Sequence, residues 1–219
     1  MDFSRQLEVF DPASLRDRVN VIGCGASGSW VVLLLAKMGV NDIHIYDFDI
    51  VEEHNLPNQC FGLTDVGISK VCGLAARVLA DTGSTVTVHD EEVTGETKLT
   101  GVVFILTDTM SSRADIYNKA IKHNMGVKLL IETRMGAESG RVYTLDPKNP
   151  LFAHKYKETL YSDEEATRSV CKIAQTLAPT AMMIASHAVW QLIKATSGSP
   201  YENEIIFDLK SGVHISSCF

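Results

Sequence analysis

The chain lacks the features that mark several protein classes. It has no Cys-x-x-Cys pair, and its five cysteines (Cys24, Cys60, Cys72, Cys171 and Cys218) are widely spaced and odd in number. A four-thiolate zinc knuckle is therefore not supported, and reduced, mostly buried thiols are the expectation. No apolar run reaches the length of a membrane span; the run at 31–35 is closed by Lys37 and Gly39. Met1-Asp2-Phe3-Ser4-Arg5 has no basic stretch leading into an apolar core, so the start does not read as a signal peptide. Positive charge is also short. With 20 Lys and Arg against 27 Asp and Glu, the net charge is -7, which disfavours non-specific contact with nucleic acid or acidic membranes. Internal repeats and low-complexity tracts are absent. The expectation is a cytoplasmic chain that binds neither nucleic acid nor membrane.

What is present is an ordinary globular balance over 219 residues, enough for one large α/β domain. Short apolar segments at 19–22, 43–46, 85–89, 102–106 and 128–133 read as strands. Between them, 27–38, 66–80 and 111–123 have helical spacing, the last capped by Thr109 or Ser111. This alternation predicts a mostly parallel sheet with helices on both faces. After Gly140 the pattern changes. Residues 142–145 suggest an antiparallel strand, 146–168 a mobile crossing loop marked by Pro147 and Pro150, and 180–196 a strong helix. Residues 204–207 and 213–216 suggest a terminal hairpin around Lys210-Ser211-Gly212. The division expected is a single unit over 1–219, with 1–140 binding nucleotide and 141–219 forming the crossing loop, helix and antiparallel extension.

Gly23-Cys24-Gly25-Ala26-Ser27-Gly28 follows the first strand and opens the first helix. Gly23 permits the tight turn, Gly25 lets backbone approach a phosphate, and Gly28 lets the helix pack closely on the strand. The helix N-terminus offers unpaired N–H groups to an anion. Asp47 follows Gly28 by 19 residues, at the end of the second strand, where a carboxylate can accept hydrogen bonds from ribose hydroxyls. Nicotinamide, flavin, methyl-donor and adenylate sites all use this arrangement, which makes the expected fold Rossmann-like and leaves the chemistry open.

The next residues narrow it. Asp47-x-Asp49-x-Val51 is followed by Asn55-Leu56 and Gln59, then by Asp65-Val66-Gly67-x-x-Lys70, then by Thr107-Asp108 with Arg113 and Asn118 downstream. Ser4-Arg5-Gln6 precedes them, and Cys171 stands eight residues before Pro179 and its helix. Together these motifs, in this order and over nearly the whole chain, resemble the ThiF/MoeB family, which includes the ubiquitin-activating enzymes. The resemblance implies binding of ATP and Mg²⁺. It further implies adenylation of the C-terminal glycine carboxylate of a small ubiquitin-like or sulfur-carrier-like protein, with possible transfer to a cysteine thiol. It implies a homodimer in which Arg5 acts on the partner subunit's ATP.

The residue types suit that chemistry. A carboxylate and a triphosphate are both anionic, so the site needs fixed cations and a metal. Asp108, just beyond an apolar strand at the carboxyl edge of the sheet, is the candidate Mg²⁺ ligand. Lys70 can contact the β- or γ-phosphate, and Asn55 and Gln59 can hold phosphate oxygens without adding charge. Asp49 can support the metal or orient Lys and Arg side chains. Arg134, ending a strand, is expected to face the site edge. Arg113 is expected either at the site or paired on the surface with Asp115 or Glu132. Trp30, Trp190, Met182 and Met183 suit core or dimer packing. Arg168 and Lys172 flank Cys171 and would favour its thiolate, although a structural thiol remains equally open.

One position departs from the family pattern. Asn58 stands where the family usually has an arginine; the expectation is either slower adenylation or a shift of phosphate neutralisation to Lys70, Arg5 or Arg134. No inserted cysteine domain or appended ubiquitin-fold domain is present, so the chain reads as a minimal adenylation unit. Three other readings stay open. They are a non-catalytic dimeric nucleotide-binding module, an NAD-dependent oxidoreductase, and an activator of a small-molecule or RNA carboxylate.

Overall fold

The registers of three strands bring the segments singled out above to one edge. In the computed structural model, which describes residues 1–166 and 176–219, β1 (Val19–Ile22) lies between β2 (Ile43–Tyr46) and β4 (Gly101–Ile105), parallel to both. Ile22 is level with Tyr46 on one side and Ile105 on the other. The glycine turn, Asp47 and the Thr107-Asp108 segment therefore leave the sheet side by side at its carboxyl edge. β3 (Thr87–His89) extends the parallel part beyond β2, and β5 (Val127–Met135) extends it beyond β4, with Ile105 level with Glu132.

From β5 onward the sheet turns antiparallel. β6 (Ser139–Leu145), β7 (Glu204–Asp208) and β8 (Val213–Ser217) complete the order β3-β2-β1-β4-β5-β6-β7-β8 among the described residues. Both faces are covered, as the continuous apolar strands require. One face packs α1 (Ala26–Lys37), α2 (Lys70–Thr82) and α6 (Ala178–Thr196) over Val19, Val21, Ile43 and Ile45. The other packs α3 (Met110–Ile116), a π turn at Tyr117–Ile121 and α4 (Pro150–Glu158) over Ile22, Val103, Ile105 and Tyr143. The expected α/β class, mostly parallel core, two-sided helix cover and terminal hairpin are all present.

Three expectations need correction. The helix expected at 66–80 begins at Lys70, because Gly67 has φ +84° and Leu63–Asp65 forms its own short turn. The helix expected through His123 is α-helical only to Ile116 before it widens. The crossing segment at 146–168 is not a plain loop. It contains α4 and the short α5 (Asp163–Ala166). Pro150 starts α4 at a position where its missing N–H costs nothing, and the Asn149 side chain accepts from the Leu151 and Phe152 amides. Tyr156 then anchors the helix, fully buried against Tyr117 and Tyr143.

Candidate functional site

The site is built around backbone that only glycine can supply. Gly23 has φ +92°, and a Cβ there would lie 2.8 Å from the Leu106 carbonyl oxygen. The turn therefore abuts the chain leaving β4, just before Asp108. A Cβ on Gly28 would sit 1.8 Å from the Gly23 carbonyl oxygen, so the first turn of α1 rests on the glycine turn itself. A Cβ on Gly25 meets nothing within 4 Å. The backbone there faces open space, the condition for close approach by a ligand.

Asp47 fastens two loops together. Its carboxylate accepts from the Cys24 amide at 2.6 Å and from the Asp49 amide at 2.9 Å. Burial raises its pKa against the lowering effect of those two bonds. Each oxygen retains a second lone pair, so a ribose hydroxyl can still be accepted. Asp49 in turn holds Lys70. The Asp49 carbonyl takes the Lys70 amide, and its carboxylate takes the Lys70 ammonium at 2.7 Å. Lys70 is thus a buried stem with its tip on a solvent-facing acid, not a solvated helix lysine.

The Asn55 side-chain oxygen accepts from the Glu52 amide and shapes the turn that delivers Asn58 and Gln59. Asn58 reaches across to the segment just before α6, donating its side-chain amide to the Thr176 hydroxyl, while its carbonyl accepts from the Trp30 indole at 3.1 Å. The Asn58 and Gln59 side-chain oxygens are buried without a hydrogen-bond partner among the described residues. Such groups carry a desolvation cost that a donor would relieve.

Asp108 is exposed, and the residue after it, Thr109, caps α3 by accepting from the Ser112 amide. The Asp108 carboxylate is therefore not consumed as the cap. Its backbone is fixed by Arg113, which donates to the carbonyls of Asp108 (3.3 Å) and Thr133 (3.1 Å). Arg113 is not a surface residue. It is buried with Nε 3.1 Å from the fully buried Glu132 carboxylate, while Asp115 pairs with Lys119 instead. Arg134 also turns inward. It donates twice to Glu132, at 2.7 and 3.0 Å, and twice to Thr159, at 2.6 and 2.8 Å. Burial works against its charge, but Glu132 more than offsets this and holds its pKa raised. Four of its five donors are spent, so it cannot replace the cation missing at Asn58.

Gly23, Gly25, Gly28, Asp47, Asp49, Asn55, Gln59, Lys70 and Asp108 are gathered at one sheet edge. Arg5 is not. It is exposed, on a segment pinned to the far end of α1 by Phe3 against Gly39 and by Gln6 donating to the Met38 carbonyl at 2.8 Å. The 12-residue α1 puts about 18 Å between that end and the glycine turn. Cys171, with Arg168 and Lys172, lies outside the described residues. Met182, Met183 and Trp190 line the outward side of α6 rather than the core. Glu132, Thr159 and Asp163 were not singled out by the sequence as site residues. The signal for Glu132 was a carboxylate placed directly after the apolar run Leu129-Leu130-Ile131, within a strand. No described helix is long and apolar enough to cross a membrane.

Among proteins of known name, a 54-residue stretch is 52% identical to "Probable adenylyltransferase/sulfurtransferase MoeZ" of Mycobacterium tuberculosis, covering 24% of this chain and 14% of that protein. A 57-residue stretch is 39% identical to "Uncharacterized protein y4oA" of Sinorhizobium fredii, covering 26% of this chain and 10% of that protein. The matched stretches thus span a small part of these relatives. Among solved structures, Escherichia coli MccB with ATP superposes with a TM-score of 0.74 at 18% identity, over 99% of this chain and 70% of that one. PaaA superposes with a TM-score of 0.72 at 18% identity, over 94% of this chain and 65% of that one. These likenesses concern the fold. The model of the ThiF family matches residues 3–211, nearly the whole length, and the chain belongs to that family.

Proposed function

We propose that residues 1–219 act as one adenylation unit that uses ATP to activate the C-terminal carboxylate of a small ubiquitin-like or sulfur-carrier-like protein. The observation that carries this reading is the shared edge. An open glycine turn, a ribose-competent carboxylate at Asp47 and an exposed carboxylate at Asp108 leave adjacent strands there, and Asp49 holds the Lys70 cation, at the start of α2, beside them. MoeZ is named an adenylyltransferase/sulfurtransferase, and MccB has been solved with ATP and with N-formylated MccA, which supports the reading by kinship.

In this reading the phosphates lie over Gly25 and the α1 N-terminus, where backbone N–H groups face open space. Asp47 accepts from the ribose, and Lys70 exchanges part of its contact with Asp49 for phosphate oxygen. The buried oxygens of Asn58 and Gln59 gain donors from the ligand or its hydration. A carboxylate oxygen of the partner's terminal glycine bonds to the α-phosphorus. The bond from that phosphorus to the bridging oxygen breaks, and pyrophosphate leaves without any proton transfer. Asp108 suits Mg²⁺ as a hard oxygen ligand. No group of three or more His, Cys, Asp or Glu side chains forms a metal cage among the described residues, which suits an ion held largely by phosphates and water. When bound, Mg²⁺ would neutralise phosphate charge and polarise the reacting centre.

A homodimer is part of the proposal, because Arg5 lies too far from its own glycine turn to serve it. Cys171 is the candidate acceptor of the activated acyl group. Mg²⁺-dependent pyrophosphate–ATP exchange in the presence of proteins ending in glycine tests the reading. Asp108→Ala is expected to abolish exchange, and exchange unchanged by that substitution would sink the metal assignment. The second reading, a nucleotide-binding dimeric module without catalysis, draws on one observation. Asn58 replaces a cation and Arg134 is committed elsewhere. ATP binding with no exchange for any glycine-ended partner would favour it, and tight NADH binding without ATP binding would favour an oxidoreductase.

A further inference from the structure

We propose that Glu132 is a positioning residue that ties the placement of Asp108 to the seating of the crossing segment. For the role of Asp108 as a metal ligand, the proposal rests on the adenylation reading. The Glu132 side chain is wholly shielded from solvent, yet it serves two guanidiniums. On one side Arg113, 3.1 Å away, carries the carbonyls of Asp108 and Thr133. On the other side Arg134, bonded to both carboxylate oxygens, carries the carbonyl and hydroxyl of Thr159 at the end of α4. Glu132 is level with Ile105, two residues before the turn that holds Asp108. One carboxylate therefore stands between the metal-site turn and the segment that crosses above it.

A second contact closes the same circuit independently. Asp163, on α5, accepts from the Met110 amide at 2.7 Å and the Ser111 amide at 3.3 Å, directly after Thr109. The crossing segment thus grips the Asp108 turn at two points, through Glu132 and through Asp163. Stability is a poor reason for the Glu132 trio, since buried ion clusters are often no more stabilising than well-packed apolar residues. What the trio does is fix geometry. Each arginine donates to main-chain carbonyls whose places are thereby set relative to one carboxylate. Shifting Thr159 moves Arg134 and, with it, the Glu132 carboxylate against which Arg113 and the Asp108 carbonyl are placed.

The test compares wild type with Glu132→Gln and Arg113→Lys, the second retaining a charge but not the fork of donors. The first readout is the Mg²⁺ concentration giving half-maximal pyrophosphate–ATP exchange. It is expected to rise about tenfold or more in both variants, as for loss of groups that orient metal ligands, while KM for ATP at saturating Mg²⁺ stays near the wild-type value. The second readout is amide hydrogen exchange, which needs no catalysis. In each variant exchange is expected to quicken together at 106–112 and at 156–163. If either variant folds and keeps the wild-type Mg²⁺ dependence, or if only one segment loosens, the coupling is wrong. If Glu132→Gln does not fold, Arg113→Lys decides. If wild type shows no pyrophosphate exchange at all, the adenylation reading fails by itself and hydrogen exchange alone judges the coupling.

Discussion

Two ion-paired groups sit at the same sheet edge and differ in their access to water. Lys70 meets Asp49 at 2.7 Å, and the Asp49 side chain is 54% exposed. Arg113 and Arg134 meet Glu132 at 3.1 and 2.7 Å, and the Glu132 side chain is 0% exposed. An ion pair with one partner in water is worth little and exchanges partners easily. An ion cluster sealed from water is expensive to break. The first arrangement suits a ligand that arrives and leaves, and the second suits a fixed frame. Arg113 and Arg134 belong to the frame, so of these three cations only Lys70 is held by a partner that faces water.

The comparison can be broken most forcefully at Glu132. Glu132→Leu strands two buried guanidiniums and is expected to destabilise the fold by about 3–5 kcal/mol, read from denaturant unfolding. A loss below about 1 kcal/mol would mean that water reaches the trio and the contrast is false.

At the pair with one partner in water the pattern should invert. Lys70→Met is expected to change stability by less than about 1 kcal/mol yet to weaken ATP binding by roughly tenfold or more, the loss of one charge-assisted contact. Calorimetric titration with ATP beside an unfolding curve separates the two effects. A large stability loss with unchanged ATP affinity would make Lys70 part of the frame instead.

The smallest effect is expected at a third polar group on β2 and β3, intermediate in exposure. His44 Nδ1 lies 2.9 Å from His89 Nε2, and His44 Nε2 lies 3.1 Å from Asp42, with Arg18 and Glu91 nearby. Burial, then Arg18, lowers the His44 pKa below 6.5, with His89 adding to this and Asp42 opposing it. The unfolded chain then binds the proton more readily than the folded one. The contribution to stability is full above pH 6.5 and declines as pH falls through the interval below it. His44→Asn should flatten that slope in unfolding curves measured across this range, and an unchanged slope would assign it to other groups.

The fold was largely legible because its signals are local. Strand and helix alternate with clear periods, and Gly23, Gly25 and Gly28 announce a turn by their spacing. Where reading failed, the deciding contact was distant. Residues 146–166 look like loop by composition, yet Tyr156 finds a buried slot between Tyr117 and Tyr143 and makes α4 worthwhile. Arg113 and Arg134 carry the same charge as any surface arginine. Nothing near them in sequence states that they converge on one carboxylate.

The sequence by itself determined the α/β class, the glycine turn, the acid at the end of β2 and the order of motifs that places the chain in the ThiF family, because each rests on short-range periodicity or spacing. Only the tertiary structure decided which charges stay available. Strand register set Glu132 beside the exit of β4, and that register consumed Arg113 and Arg134. Packing of the N-terminal segment on the far end of α1 set Arg5 apart from its own site. A cation's role depends on where its partner lies and how much water lies between, and both are properties of the folded chain.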